Sequence, residues 1–227
     1  MPDGDNSKSK GNQARRAEVV AVAAKLFSDR GFRGTSMDDI ARELGILKGS
    51  LYYWIDSKEA LLADVLLGAL SKTIEDGHAI VSHTDMSASD RLHALIKSHI
   101  HAWTLSPDNF NVALNEAKWL DPKDSERWIK ERHELEALYK GVLQDGITSG
   151  EFDVNERNIS IMVNLIFAMM NWFPRWYKPT GFATPEYVAE AIAGMVLNGI
   201  MQRDLANRYP IEFQQLPVRR TARPRKR

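Results

Sequence analysis

From Thr35 to Leu61 the chain reads TSMDDIARELGILKGSLYYWIDSKEAL. Its polar side chains suit contact with a polyanion better than bond-breaking chemistry. Lys48, Gly49 and Ser50 open a short helix, where backbone N–H groups and the helix dipole favour a phosphate. Gly49 adds no side chain, so the backbone could approach a nucleic acid closely. Tyr52 and Tyr53 offer hydroxyls to phosphates or base edges, and Lys58 adds a point charge. Thr35, at the entry to the stretch, completes the candidate DNA-binding set.

A second segment, Asn171 to Gly181 (NWFPRWYKPTG), gathers Trp172, Arg175, Trp176, Tyr177 and Lys178 within seven residues. Aromatic faces beside cations suit a nucleotide base and its phosphates. A helix end with Arg175 and Lys178 set against the C-terminal dipole accounts for the same residues. Large aromatics recur upstream at Trp103, Phe110, Trp119, Trp128, Tyr139 and Phe167. Singly, each reads as core. Together with Met162, Met169 and Met170 they point to a roomy apolar cavity. The candidate ligand-binding residues are Trp103, Phe110, Trp119, Trp128, Phe167, Asn171, Trp172, Arg175, Trp176 and Lys178.

Other chemistries lack their residues. The chain has no Cys and six His, at positions 78, 83, 93, 99, 101 and 133. Without Cys there is neither a disulfide framework nor a thiolate metal site. His99 and His101 stand two apart and do not share a helix face, so no metal site is expected. No Gly-rich phosphate loop, nucleophile elbow or metal-hydrolase motif occurs. The expectation is a protein that is not an enzyme and has no cofactor.

Helices must position these residues. Thr35 or Ser36 can cap a first short helix, with Asp38 or Asp39 in the capping-box position. Ile40, Ala41 and Leu44 give it an apolar face, and Gly45 stops it. A second helix runs from Lys48 to about Trp54, and Ser57 caps a third. Two short helices around a glycine turn form a helix-turn-helix unit, whose second helix can enter a DNA major groove. A supporting helix from Arg15 to about Arg30 aligns Val19, Val22, Ala23, Leu26 and Phe27, and Gly31 ends it. Residues 1–12 read as a disordered arm and 13–60 as a three-helix DNA-binding domain.

The helix from Ser57 runs to about Val81, long enough to act as a lever into a second domain. Ser82 to Ser89 reads as a polar linker. Ser87 with Asp90 caps the next helix, which Pro107 closes, and a shorter one starts at Asn109. Asp121-Pro122 opens a helix that stops near Gly146 to Gly150. A helix from Glu156 to about Tyr177, with Pro174 near its end, is apolar almost all round and should be buried on more than one side. Thr184-Pro185-Glu186 opens the last. No strand pattern persists, so the fold class is all-α. The last two helices can form a four-helix bundle with those of a second copy, which predicts a homodimer. Residues 61–206 form the ligand-binding and dimerisation domain, and 207–227 a basic tail.

Thirty Lys and Arg balance thirty Asp and Glu. Their distribution is uneven: residues 1–60 hold ten basic and nine acidic residues (net +1), 61–206 thirteen and twenty (net −7), and 207–227 seven and one (net +6). A weakly basic head must bind DNA through well-placed contacts and dimerisation more than through bulk charge. The polar start shows no signal peptide. The longest apolar stretch, Ile159 to Phe173, is shorter than a membrane span and is interrupted by Ser160, Asn164 and Asn171. A cytoplasmic protein without a membrane partner is expected.

Leu26-Phe27, Gly31-Phe32, TSMDDIA, GILKGSLYY and SKEALL, taken in register, resemble the TetR family of transcriptional regulators over about residues 14–62. In three places the sequence departs from the family pattern. Leu47 stands where a Ser or Thr usually caps the recognition helix, Ile55 replaces a Phe, and Asp56 replaces a Pro. The resemblance implies about nine helices and a homodimeric repressor on a palindromic double-stranded operator, released by a small-molecule effector. The NWFPRWYKPTG segment and LNEAKWLDP resemble members of the family that sense CoA thioesters in fatty-acid and sterol breakdown. That likeness implies effector roles for Trp172, Arg175, Trp176 and Lys178. An apolar drug, lipid or aromatic effector, or a ligand-blind DNA-binding dimer, remain the other readings.

Overall fold

The computed structural model describes residues 4–201, with side chains from residue 12 onward. The basic tail at 207–227, and the side chains of residues 1–11, lie outside the described residues. The described residues are helical throughout: α1 (Gly4–Arg30), α2 (Met37–Glu43), α3 (Lys48–Leu51), α4 (Lys58–Val81), α5 (Ala88–Leu105), α6 (Pro107–Glu116), α7 (Pro122–Thr148), α8 (Ile159–Trp176) and α9 (Pro185–Ile200). Short 3-10 turns, Ala117–Trp119 and Glu156–Asn158, precede α7 and α8. An isolated bridge joins Phe152 to Met201. Two compact units result: Met1–His78 with Ala102–Ala137, and Ala79–His101 with Leu138–Arg227.

In the first unit, α1 buries Val19, Ala23, Leu26 and Phe27 along one stripe. It begins at Gly4 rather than at Arg15, so residues 4–12, expected as part of a disordered arm, are helical. Its first turns carry no apolar period, so nothing in the pattern marks them. Gly31 ends α1 at φ +74° and Gly45 ends α2 at φ +67°, a region costly for residues with a Cβ. Ser36, not Thr35, caps α2. Its N–H donates to Asp39 Oδ2 at 2.9 Å, and the Asp39 N–H donates to Ser36 Oγ at 3.2 Å. The Ala60 N–H donates to Ser57 Oγ at 3.0 Å and fixes the start of α4. That helix buries Leu61, Leu62, Val65, Leu66 and Leu70. Pro107 opens α6 at its first turn instead of only closing α5, because the missing N–H is no loss there.

The second unit packs Leu92, Leu95, Ile96, Tyr139, Val142, Leu143, Val163, Ile166, Met170 and Phe173 into its core, with Val188, Ala189, Ile192, Ala193 and Val196 from α9. Gly146 lets Phe152 lie against α7, since a Cβ there would overlap the phenyl ring. Glu151 reaches the start of α5, accepting from the Ala88 N–H at 3.0 Å, the Ser89 N–H at 3.0 Å and Ser89 Oγ at 2.6 Å. Burial alone would raise its pKa, but these hydrogen bonds outweigh burial and lower it. Asn155 caps the 3-10 turn before α8, so α8 proper starts at Ile159.

The expectation that α8 is buried on more than one side does not hold within the chain. Val163, Ile166, Met170 and Phe173 are buried, yet Ile161, Leu165, Trp172 and Trp176 are 57, 53, 61 and 49% exposed. These four recur at helical spacing and form one apolar stripe that no described segment covers.

Candidate nucleic-acid interface and effector region

The reading surface follows from the way α3 is anchored. Only Leu51 of its four residues is buried. The helix stops there, short of the expected Trp54, and continues as a turn in which the Tyr53 N–H donates to Ser50 O and the Trp54 N–H to Leu51 O. Leu51 and Ile55 hold this turn to the core, at 0 and 3% exposure. Leu47, Lys48, Gly49, Tyr52 and Tyr53 are left on the surface, with Leu47 at 80% and Tyr53 at 85%. Ser50 is half-buried. A Cβ added at Gly49 would meet nothing within 4 Å, so the fold itself does not require glycine there.

Two members of the predicted DNA-binding set face inward. Thr35 is buried, and its hydroxyl lies 3.2 Å from Leu26 O and 3.0 Å from Gly31 O, bonding the end of α1. Lys58 donates to Phe32 O at 3.0 Å and Thr35 O at 2.9 Å, with its ammonium 4.3 Å from the centre of the Phe32 ring. Both residues therefore hold the turn before α2 in place and are not free groups for DNA. Residues of α6 and of the 3-10 turn after it hold that turn and the end of α1 as well. The Phe32 N–H donates to Glu116 Oε2 at 3.3 Å, Asn111 Nδ2 to Ser28 Oγ at 2.9 Å, and Arg33 stacks 4.4 Å from the centre of the Trp119 ring. Sequence reasoning missed these links, and it missed Asp38. The Asp38 carboxylate accepts from Lys48 Nζ at 2.8 Å and raises the lysine's pKa. Partners so far apart in sequence leave no local signature.

The predicted effector residues divide between the units. In the first, Phe110 is buried with Ala69 and Ala102, and Trp103 packs against them. Trp128 is buried, while Trp119 is the platform under Arg33. In the second, Phe167 meets Tyr139 with ring centres 4.9 Å apart and His99 at 5.5 Å. The Tyr139 hydroxyl donates to Leu95 O at 3.0 Å, and burial pushes its pKa up. Burial also lowers His99 to about 4, so it is neutral at pH 7. Asn171 is half-buried and Lys178 exposed. The Arg175 guanidinium lies 5.2 Å from the centre of the exposed Trp172 ring, the aromatic–cation arrangement expected of this segment. Three surface cavities of about 260, 420 and 330 Å³ occur within the units. None of these three is lined by a predicted effector residue.

Residues 19–65 match the model of the bacterial regulatory proteins of the tetR family, and residues 85–200 match the tetracyclin repressor-like C-terminal domain. The chain belongs to the TetR family. Its relatives include the HTH-type transcriptional repressor KstR2 of Rhodococcus jostii, 33% identical over 195 residues, covering 84% of this chain and 93% of the relative. The solved ketosteroid transcriptional regulator KstR2 of Mycobacterium tuberculosis superposes with a TM-score of 0.76 at 29% identity, covering 83% of this chain and 95% of that one. PfmR, a TetR-family regulator from Thermus thermophilus, gives 0.75 at 27% identity, covering 81 and 99%. This TetR protein is a transcriptional regulator and not an enzyme. Among the described residues, no helix is long and apolar enough to cross a membrane.

Proposed function

We propose that this protein is a ligand-responsive repressor that binds a palindromic operator as a homodimer and is released by a CoA thioester with an apolar acyl group. The exposed residues Leu47, Lys48, Gly49, Tyr52 and Tyr53, in and around the core-anchored α3, carry the reading. In a helix-turn-helix dimer, two such sets read successive major grooves. The apolar stripe of α8 (Ile161, Leu165, Trp172, Trp176) is the face for a second copy. Repressor is the word in the name of the KstR2 relatives, and ketosteroid favours a steroid-derived acyl group. Arg175 over Trp172, with Lys178 nearby, supplies cations and aromatic faces for the nucleotide part. Within the first unit, the turn before α2 is held by Lys58 of α4 and Glu116 of α6, so a shift of either helix is passed to the reading head. Release requires the effector to bind the DNA-incompetent state more tightly.

Two measurements test this. Lys48→Ala and Tyr52→Ala should each weaken operator binding without lowering the unfolding temperature; unchanged affinity in both removes α3 as the reading element. In a thermal-shift titration, acyl- and steroid-derived CoA thioesters should stabilise the protein where the matching free acids and CoA alone do not. At about 100 times the dissociation constant the gain is about 2.7 kcal/mol. Stabilisation by free acids as well would assign the effector to its apolar part alone, and silence from every thioester would exclude the CoA reading.

A further inference from the structure

We infer that Leu47 is a specificity-determining residue that reads the 5-methyl group of a thymine in each half of the operator. The inference rests on α3 being the reading element. Leu47 is the N-cap of α3, at φ −72° and ψ 142°, with no side-chain capping hydrogen bond. A Ser, Thr, Asp or Asn there would satisfy an orphan N–H of the first turn, and leucine offers that N–H no acceptor. Leucine gains nothing in return inside the protein, because it is 80% exposed. An isobutyl group also cannot make the phosphate hydrogen bond that a hydroxyl could.

Its position decides what can cover it. Leu47 adjoins Lys48 and Gly49, both exposed, and the open space over Gly49 leaves the backbone accessible. The N-terminal residues of a recognition helix are the ones that reach base edges. Guanine, cytosine and adenine present only donors and acceptors to the major groove, whereas thymine alone adds a methyl group. A leucine at the leading end of the helix therefore matches one base-edge feature. Next to it, Lys48 is steered by Asp38 at 2.8 Å, so the apolar and cationic contacts are set side by side.

The test begins with selection of binding sites for the full-length protein from random duplex DNA. The enriched site is then titrated with each thymine replaced in turn by deoxyuridine, which removes only the methyl group. For the wild type, one position per half-site should lose about fourfold in affinity, the factor that burying one methyl group supplies. Leu47→Ala should bind the thymine site more weakly and lose its sensitivity at that position alone. Leu47→Ser should also be blind there while keeping or raising the unfolding temperature, which separates reading from capping. Wild-type affinity that no deoxyuridine changes, or sensitivity that persists in both variants, overturns the inference while leaving α3 as the reading element. If selection enriches no sequence, the reading of α3 falls and this inference with it.

Discussion

Gly49→Ala separates what the fold needs from what the operator needs. A methyl group at 49 meets nothing within 4 Å. The residue also lies outside the positive-φ positions, which are Gly31, Gly45 and Gly150 among the described residues. Alanine therefore fits the free protein without strain. In a helix interior the exchange favours alanine by up to about 1 kcal/mol, and a first-turn position gives roughly half of that. For a chain of this size that gain of about 0.5 kcal/mol corresponds to about 1–2 °C in unfolding temperature. On DNA the sign reverses. If the backbone at 49 touches the groove wall, the methyl group forces α3 outward and disturbs the contacts on both sides of it. A loss of about 1.4 kcal/mol is tenfold per half-site, so the full palindrome should lose up to about a hundredfold. Differential scanning fluorimetry and operator titration on the same preparation check both halves. Higher stability with unchanged operator affinity would refute the close approach, and lower stability would refute the packing around Gly49.

Gly45→Ala forces a Cβ into φ +67° and should destabilise the protein by about 1–2 kcal/mol, read in chemical denaturation. Leu165→Asp places a charge in the exposed stripe of α8 and should shift the particle to a monomer by light scattering while leaving the helical CD signal intact. Asp38→Asn frees the Lys48 ammonium and removes a carboxylate from the DNA-facing side, so the salt slope of nonspecific DNA binding should steepen by about one unit per head. Burial holds His99 near 4 against an unfolded value of about 6.5, so the unfolded chain binds more protons between these limits. Stability should be complete above about pH 6.5 and fall as the pH drops towards 4, by about 3 kcal/mol in all. His99→Asn should flatten that part of the profile in acid unfolding.

Local signals made much of this protein legible. Four of the caps join residues three apart: Ser36 with Asp39, Ser57 with Ala60, Asp121 with Asp124 and Thr184 with Tyr187. The glycine stops at 31 and 45 are equally local, because a positive φ is a property of one residue. Long-range partners were not legible. Glu151 caps α5 from more than sixty residues away, and Glu116 holds the Phe32 N–H from across the first unit. Lys58 and Thr35 look like DNA contacts by residue type, and only the positions of the Phe32 and Leu26 carbonyls turn them inward. The apolar stripe of α8 was visible as hydrophobicity, but periodicity does not say whether its own chain or another copy covers it.

The anchoring of α3 has a consequence for how such a regulator can change. Two buried residues, Leu51 and Ile55, attach this turn to the core, and the residues that face outward take almost no part in packing. Leu47, Lys48, Gly49 and Tyr53 can be exchanged while the rest of the molecule keeps its stability. A lineage carrying this scaffold could thus acquire a new target sequence through a few neutral steps, and an engineer could graft a foreign recognition turn onto the same two anchors, Leu51 and Ile55.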